Sequence, residues 1–403
     1  MIRIVQKAAS WLKLGVAGLL IALLGAGGSV HARHADTDAQ RVADWIQSLQ
    51  FTDPGQPSFG GIRVHHTASA IGKQDGKPYY RVSPYINNLA VSGLLASKAP
   101  FRLQVAERWI DWYFRHLTPA SAPDGVPYEH FYLQDGSGET VCVVPGDPHL
   151  DHYNDATDSA AATFLSLLRD YLRSGGTSTQ LRTSEWHKRL EGMADALLRL
   201  QQPDGLFWAK ASYRTKYLED NCEVFDGLQA LAELERQVYA NAERARAAEE
   251  AAKRLKQGVQ TELYAATGSW RVAKFEDGTI QQADTGRWYP DMQCQMWPHL
   301  YSLVAVDAPQ TLAVRKTLRE KWASNEPGAA HLNWTRDLAK INNGVVNSDV
   351  AYAALLLGQR ENVEAYLRAF HTLKFPDVPS HHNFDWPFTP LDAGWLLRIY
   401  ARL

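Results

Sequence analysis

The sequence predicts an all-α protein of about twelve helices that alternate between inner and outer positions along the chain. Six long stretches are apolar on every side, which indicates helices enclosed by protein. The stretches between them are polar on one face, which indicates helices at the surface. The inner helices are predicted over residues 84–97, 154–173, 220–234, 290–305, 345–357 and 390–402, and the outer helices over residues 38–50, 102–117, 185–202, 235–264, 308–323 and 360–373.

The loops that lead into inner helices are long, and those that lead out of them are short. Residues 128–144 and 268–282 carry glycines and short alternating stretches that favour β-hairpins, whereas residues 96–100 form a brief connection to an outer helix. We therefore expect the loop elaboration, and with it a functional site, at the end of the molecule where the inner helices begin.

The N-terminal segment has the pattern of a secretory signal. Three basic residues precede an apolar run over residues 14–26, and residues 30–32 offer a small-residue cleavage site. The apolar run is shorter than the ~20 residues that a bilayer-spanning helix needs. We expect a signal over residues 1–32, a single domain over residues 33–403 without a membrane span after cleavage, and a periplasmic or secreted monomer.

Composition and the absence of known motifs exclude several classes of function. A net charge of −2 without a long basic run argues against nucleic acid as a partner. The 13 tryptophans and 17 tyrosines suit stacking on sugar rings, although aromatic side chains fill cores about as often. Neither a phosphate-binding glycine-rich loop nor a GxSxG or HExxH motif is present, so no cofactor is expected. The histidine-bearing segments 147–152 and 381–382 lack metal-ligand spacing, so no metal site is expected there.

Cysteine usage is sparse for an exported chain. Because Cys142, Cys222 and Cys294 make an odd number, at most one disulfide can form within the chain. Small buried apolar side chains are a better interpretation of all three than a catalytic thiol.

Two inner helices carry acidic residues at the i, i+4, i+7 spacing that places side chains on one helical face. Like charges on one partly buried face raise each other's proton affinity, so that one carboxyl can stay protonated beside an ionised neighbour. Hydrolysis of a glycosidic bond needs such an acid and a second carboxylate. The two sets are Asp151, Asp155 and Asp158, and Glu219, Glu223 and Asp226.

Helix capping is the alternative explanation for each of these acids, because carboxylates are favoured in any first turn. Asp158, Glu223 and Asp226 are predicted beyond the first turn of otherwise apolar helices, where an acid is costly without a purpose. Asp349, buried in another inner helix, is as well explained by a structural role.

The recurring helical hairpins and the acidic, aromatic loops resemble the six-hairpin, (α/α)6-toroid carbohydrate-active enzymes over residues 38–403. That superfamily contains glycoside hydrolases, some polysaccharide lyases and sugar epimerases. The sequence at 217–221, Tyr-Leu-Glu-Asp-Asn, is similar to the inner-helix start that carries the catalytic aspartate in unsaturated uronyl hydrolases. The first inner helix departs from that family, with Tyr85, Asn87 and Asn88 where an acid is expected. The resemblance implies an all-α (α/α)6 toroid with short β-hairpins in the rim loops.

The sequence as a whole thus predicts an exported glycoside hydrolase that acts on a polysaccharide or oligosaccharide. The predicted general acid is Asp220 or Glu223, and the predicted base is Asp155 or Asp291. Substrate-binding roles are predicted for Tyr85, Asn88, Glu129, His130, Tyr153, Asp158, Trp208, Asp226, Trp270, Arg287, Trp288, Tyr289, Trp334 and Trp386.

Two other functions stay open. One is a polysaccharide lyase that removes the C5 proton of a uronic acid. The other is a non-catalytic glycan-binding component of a polysaccharide secretion system, which would keep the aromatic groove without a matched pair of acids. For the lyase the candidate bases are Tyr85, His130, Tyr153 and Tyr289, and the groups that would neutralise the uronate are Arg81, Asn87, Asn88 and Arg287.

Overall fold

The computed structural model describes residues 36–66, 68, 77–119, 125–141, 153–284, 286–322, 348–372 and 388–403. The predicted signal over residues 1–32 lies outside these ranges, and so do Cys142, Asp151, Trp334, Trp386 and the segments 147–152 and 381–382. Within the described ranges, none of the helices combines the length and the hydropathy that crossing a bilayer requires.

The described residues form helices and a few short strands, in the order that the sequence predicts. The helices are α1 (residues 36–49), α2 (Pro84–Ala96), α3 (Arg102–His116), α4 (Thr157–Arg173), α5 (Ser184–Arg199), α6 (Leu218–Gln237), α7 (Ala242–Gly258), α8 (Trp297–Leu300), α9 (Pro309–Trp322), α10 (Ser348–Leu356), α11 (Arg360–Thr372) and α12 (Pro390–Tyr400).

The six even-numbered helices form a closed inner ring. Each contacts the next, from α2 through α4, α6, α8 and α10 to α12, and α12 contacts α2 again. The outer helices pack on the ring: α3 contacts α2 and α4, α5 contacts α4, α7 contacts α6, and α11 contacts α10. This arrangement confirms the predicted (α/α)6 toroid.

Glycines bring neighbouring inner helices unusually close. A Cβ at Gly93 of α2 would lie 2.1 Å from the carbonyl oxygen of Gly394 in α12, and one at Gly227 of α6 would lie 2.5 Å from the Cα of Ala162 in α4. Neither position can accept a side chain without displacing backbone atoms of the neighbouring helix. The small residues at these contacts therefore keep the inner ring narrow.

The strands lie in loops that precede inner helices, which confirms the expected rim hairpins. β1 (Tyr80–Val82) pairs antiparallel with β2 (His130–Tyr132), and β3 (Lys216–Tyr217), β4 (Ala273–Lys274) and β5 (Ile280–Gln281) form a second antiparallel sheet. β1 leads into α2 and β3 into α6, so the sheets stand at the N-terminal end of the ring.

Helix α4 begins later than predicted. It starts at Thr157 after an extended Ala156, and the first free N–H groups, those of Thr157 and Asp158, donate to the carbonyl of Ala209 in the next loop. Asp155 therefore lies at a bend before the helix, and the expected helical spacing of Asp155 and Asp158 is wrong.

Helix α6 is longer than predicted, and the outer helix after it begins at Ala242 rather than at residue 235. We attribute this extension to Glu235, which is buried at the end of α6 and has a basic side chain on each side. His187 of α5 lies 3.1 Å from its carboxylate and Arg244 of α7 lies 3.4 Å from it, so the acid can be enclosed.

The fourth inner segment is broken into short helical turns, whereas one helix over residues 290–305 was predicted. Tyr289 is extended within the turn Trp288–Met292, and α8 starts afresh with Pro298 in its first turn. Proline lacks an N–H and fits only a helix start, so the two prolines of this segment divide it.

Candidate functional site

Four carboxyl groups of α4 and α6 gather inside the N-terminal end of the ring. Asp158 belongs to the first turn of α4, so its predicted place beyond the first turn is wrong. Glu219 and Asp220 belong to the first turn of α6, and Glu223 to its second turn. Protein surrounds each of them, and the negative charge of Asp220 raises the pKa of each of the other three. All four lie at the end of the ring where the loop lengths predict a site.

Glu223 lies one turn further along α6 than Glu219 and Asp220. It is 1% exposed, and its Oε1 accepts hydrogen bonds from Tyr85 of α2 at 3.0 Å and from Tyr301 after α8 at 3.1 Å. Within the described residues, Oε2 accepts no hydrogen bond of normal geometry. Burial, followed by the charge of Asp220, raises the pKa of Glu223 to about 8, so the side chain is protonated at neutral pH.

Asp220 lies nearer the opening. Protein encloses its carboxyl, yet part of the side chain still meets solvent, as expected for a group that lines a cavity. Burial, followed by the charge of Asp155, raises its pKa to about 7. The hydroxyl of Ser159 acts in the opposite direction on the pKa values of both Asp220 and Glu223, although it makes no well-aligned hydrogen bond to either.

Asp158 and Glu219 complete the cluster. Burial and the charge of Asp220 raise the pKa of both well above the usual range. The backbone N–H of Ser159 donates to one oxygen of Asp158 at 2.8 Å, and the other oxygen has no partner among the described residues. Oε1 of Glu219 likewise has no such partner. Capping alone does not explain these acids, because it would leave no buried oxygen unsatisfied.

Asp155 stands exposed at the mouth of the cluster and accepts a hydrogen bond from the Tyr153 hydroxyl at 2.9 Å. The backbone carbonyl of Tyr153 accepts from the N–H of Glu129 at 2.8 Å, so the β1–β2 sheet holds this loop. Glu129 itself is buried and forms a bidentate ion pair with Arg81. Because the two charges neutralise each other within the protein, the ion pair does not favour the predicted contact between Glu129 and substrate.

Aromatic rings border the mouth. Tyr289 is 44% exposed, and the charge of Glu219, burial, and the charges of Asp155 and Asp220 raise the pKa of its hydroxyl. Trp208 is half-buried, with the Arg214 guanidinium 4.9 Å from its ring centroid.

A tyrosine pair adds to this border. The hydroxyl groups of Tyr213 and Tyr217 lie 2.7 Å apart, and Tyr213 is 47% exposed. The Lys210 ammonium stands 5.0 Å from the Tyr153 ring centroid. Aromatic faces of this kind can stack on sugar rings.

Asp291 is not placed as a base. It is fully buried, one oxygen accepts from the backbone N–H of Asp284 at 2.9 Å, and the other accepts from the half-exposed guanidinium of Arg287. This arrangement ties down the broken helix, in which Trp288 forms the first turn. The predicted roles of Asp291 in catalysis and of Arg287 in substrate binding are therefore not favoured by the geometry.

Three further predicted binding residues are parts of the framework. Asn88 is fully buried; its amide donates to the Ala160 carbonyl, and its oxygen accepts from the Trp109 indole at 3.0 Å. Trp270 is 1% exposed and belongs to the core. His130 is buried against α3 and contacts Glu139 at 3.0 Å. These framework contacts do not favour the predicted roles of the three residues in substrate binding.

Asp226 lies one turn further along α6 than Glu223, and both line one cavity. Arg169 donates to both of its oxygens, at 2.8 and 3.0 Å, and the Ser166 hydroxyl donates at 2.6 Å. The guanidinium holds the pKa of Asp226 below its usual value despite burial. The cavity has a volume of about 120 Å³, and the bidentate pair with Arg169 does not favour the predicted contact between Asp226 and substrate.

Two other buried acids of the ring have structural roles. Asp349 accepts from the Gln293 amide at 2.9 Å and from the Trp297 indole at 3.1 Å. Asp392 closes a capping box with Thr389 at the start of α12. The structural interpretation of Asp349 agrees with these contacts.

The sequence interpretation assigned no catalytic or binding role to Glu219, Ser159 or Tyr301. Glu219 was visible through its spacing from Glu223. Ser159 and Tyr301 gave no local signal, because only the closure of the ring brings them to the acids. The two cysteines within the described ranges, Cys222 and Cys294, are buried free thiols.

Comparison with known proteins bears on the fold. No family model and no curated protein matches this sequence. Among solved structures, a glycosidase superposes with a TM-score of 0.60 at 14% identity, covering 93% of this chain and 98% of the other. A D-mannose isomerase superposes with a TM-score of 0.57 at 11% identity over 92% and 97%. An alpha-amylase from Clostridium perfringens gives 0.55 at 10% identity over 91% and 97%. The chain thus has the same (α/α)6-toroid fold as these carbohydrate-active enzymes.

Proposed function

We propose that the protein is an exported glycoside hydrolase that cleaves a polysaccharide or oligosaccharide by carboxylate acid–base catalysis. The observation that carries the proposal is the pair formed by Asp220 and Asp155 at the mouth of the ring. One carboxyl has a pKa raised by burial and by its neighbour, and the other is exposed and oriented by Tyr153. The solved structures of this fold that are named glycosidases support the same reaction class.

Asp220 is the general acid of the proposal. It meets solvent while its raised pKa favours the protonated form, so it can deliver a proton to the departing glycosidic oxygen. Asp155 is the second carboxylate, which activates water or attacks the anomeric carbon. Glu223 lies beneath this pair and is protonated at neutral pH. It therefore adds no negative charge that would raise the pKa of Asp220 further. Tyr289 and Trp208 hold sugar rings over this pair.

A lyase fits these contacts less well. Its base would be a tyrosine whose proton is easily lost, but burial and the charge of Asp155 raise the pKa of Tyr153. The charges of Glu219 and Asp155 likewise raise that of Tyr289. Arg81, which would neutralise the uronate, is paired with Glu129.

A non-catalytic glycan-binding role also fits less well. Asp158, Glu219 and Glu223 each have a buried carboxyl oxygen that lacks a hydrogen-bond partner in the described part of the chain. A groove that only binds glycans has no need of such groups. Buried, unsatisfied acids cost stability, and functional sites are where proteins retain such groups.

The first test is product analysis with the purified mature chain on neutral and acidic glycans. The proposal expects new reducing ends without absorbance near 235 nm. Asp220→Asn and Asp155→Asn should each lower kcat by at least about a hundredfold, because each removes one acid–base role. Glu250→Gln, which neutralises an exposed acid on α7, is the matched control and should retain full activity.

Other outcomes would redirect the assignment. Reducing ends accompanied by the absorbance would indicate a lyase. Conversion of a free sugar without new reducing ends would indicate an isomerase, a reaction named for one structure of the same fold. Full activity in both aspartate variants would overturn the proposed catalytic pair.

Export is proposed from residues 1–32 alone, and the proposed location is periplasmic or secreted. N-terminal sequencing of the protein recovered from a secreting host should start just after residue 32. Recovery of the intact N-terminus inside the cell would contradict this. A monomer is proposed as well, and light scattering of the mature chain checks it.

A further inference from the structure

A cluster of metal-ligating side chains lies behind the β1–β2 sheet, away from the acids of the mouth. His116 ends the outer helix α3, His130 begins β2, and Glu139 belongs to the hairpin that follows β2. One nitrogen of each histidine and one oxygen of Glu139 lie within 4.8 Å of one another. The three residues lie 14 and 9 positions apart along the chain, and the fold brings them together.

The distances suit an ion of the size of Zn²⁺. Nε2 of His116 lies 2.9 Å and Nδ1 of His130 lies 3.0 Å from the same oxygen of Glu139. Ligands held about 2.0–2.2 Å from a tetrahedral zinc are roughly 3.3–3.6 Å apart, so an outward shift of Glu139 would admit the ion. Glu139 can make that shift because its side chain is about one-third exposed, whereas both rings are nearly enclosed.

The surroundings of His116 orient its ring as a ligand. Nδ1 lies 2.6 Å from the backbone carbonyl oxygen of Trp112, so this nitrogen carries a hydrogen and Nε2 is left to face Glu139. A backbone carbonyl that fixes the other ring nitrogen is the usual outer-shell partner of a metal-bound histidine. The Trp112 indole stacks on the ring at 4.2 Å, and the Tyr132 hydroxyl donates to Glu139 at 2.7 Å.

A second group with one histidine and two acids shows the contrast. His187, Glu191 and Glu235 also bring three ligand atoms together, but the guanidinium of Arg244 lies 3.4 Å from both carboxylates. A fixed cation already balances that group, so a divalent ion would be repelled.

We propose that His116, His130 and Glu139 bind one Zn²⁺, with water in the fourth position. Two imidazoles and one carboxylate favour zinc over the oxygen-seeking Ca²⁺ and Mg²⁺. The ion would join the end of α3 to the β1–β2 sheet, and it would thereby brace the wall that carries Glu129 and positions Tyr153. This proposal does not depend on the proposed hydrolase activity.

The test is equilibrium dialysis of the chelator-treated full chain against Zn²⁺, with metal content measured by mass spectrometry. One Zn²⁺ per chain is expected for the wild type. Glu139→Gln and His116→Gln should weaken binding by at least about tenfold, since each removes a ligand. His187→Gln, in the second group, is the matched control and should bind as the wild type does.

Co²⁺ supplies an independent readout, because a tetrahedral site gives it strong visible absorption bands that an octahedral aquo ion lacks. The wild type and His187→Gln should show these bands, and Glu139→Gln should not. Glu139 is at the surface, so this variant keeps its core even if His116→Gln fails to fold, and circular dichroism checks both. A wild type that binds no Zn²⁺, or binding that survives both ligand substitutions, would overturn the proposal.

Discussion

Replacing Glu223 by glutamine should make the protein less sensitive to alkaline pH. The ordinary pKa of 4.5 applies to Glu223 in the unfolded chain, whereas burial raises it to about 8 in the folded chain. Between these pH values the folded state holds a proton that the unfolded state has lost. The folded pKa is the higher one, so the contribution to stability is complete below about pH 4.5 and is lost as pH rises through about 8.

The size of the effect follows from that interval. Each pH unit between the two pKa values removes about 1.4 kcal/mol, so the wild type loses as much as roughly 5 kcal/mol by pH 9 through this group alone. The glutamine introduced by Glu223→Gln cannot ionise, yet its amide oxygen still accepts from Tyr85 and Tyr301, as Oε1 of Glu223 does. The variant should therefore match the wild type near pH 5 and exceed its free energy of unfolding at pH 9.

Urea unfolding followed by tryptophan fluorescence at pH 5 and pH 9 measures this difference. The Glu250→Gln variant on the exposed face of α7 serves as control and should show the same pH dependence as the wild type. Parallel pH profiles for the wild type and Glu223→Gln would refute the reasoning, because they would mean that Glu223 ionises in the folded ring without cost.

Three other predictions concern the ring and its mouth. Gly227→Ala should lower the free energy of unfolding by about 3 kcal/mol, because its Cβ would lie 2.5 Å from the backbone of α4; an unchanged melting temperature in calorimetry would argue against the close packing. Asp226→Ala should cost about 3 kcal/mol in urea unfolding, since Arg169 would lose the partner of its bidentate pair, and a neutral result would mean that the pair is dispensable. Trp270→Ala should cost about 3–5 kcal/mol, as expected for a core indole, whereas Trp208→Ala, whose ring is only partly buried against the core, should cost less and should raise KM for the glycan; an unchanged KM would argue against a contact between Trp208 and substrate.

Local pattern located the elements of the fold, except that it predicted one helix over residues 290–305, which the two prolines of that segment divide. Periodic apolar stretches located the inner and outer helices, and the loop lengths located the rim, because both depend on neighbouring residues along the chain. The pattern failed where a distant group decided the outcome. Ala209 sets the start of α4, and the partners of Glu235 allow α6 to continue beyond its apolar stretch.

The acids of the site were also apparent from the sequence, but their protonation states and ion-pair partners were not. The spacing of Glu219 and Glu223 placed both on one face of α6. Asp291 and Asp226 carry the same functional group, yet Arg287 and Arg169 tie them into the framework. A sequence records that a carboxyl is present and does not record which cation will lie against it.

The sequence by itself thus determined that six buried helices alternate with six exposed ones, and that acidic and aromatic residues cluster where the buried ones begin. Only the tertiary structure decided which carboxyl groups are neutralised by arginine, which are left protonated by burial, and which histidines meet Glu139 behind the rim. The physical reason is that helical periodicity is a property of neighbouring residues, whereas a pKa and a ligand set depend on the groups within a few ångströms in space. Closing the ring brings those groups together from helices that are far apart in the chain.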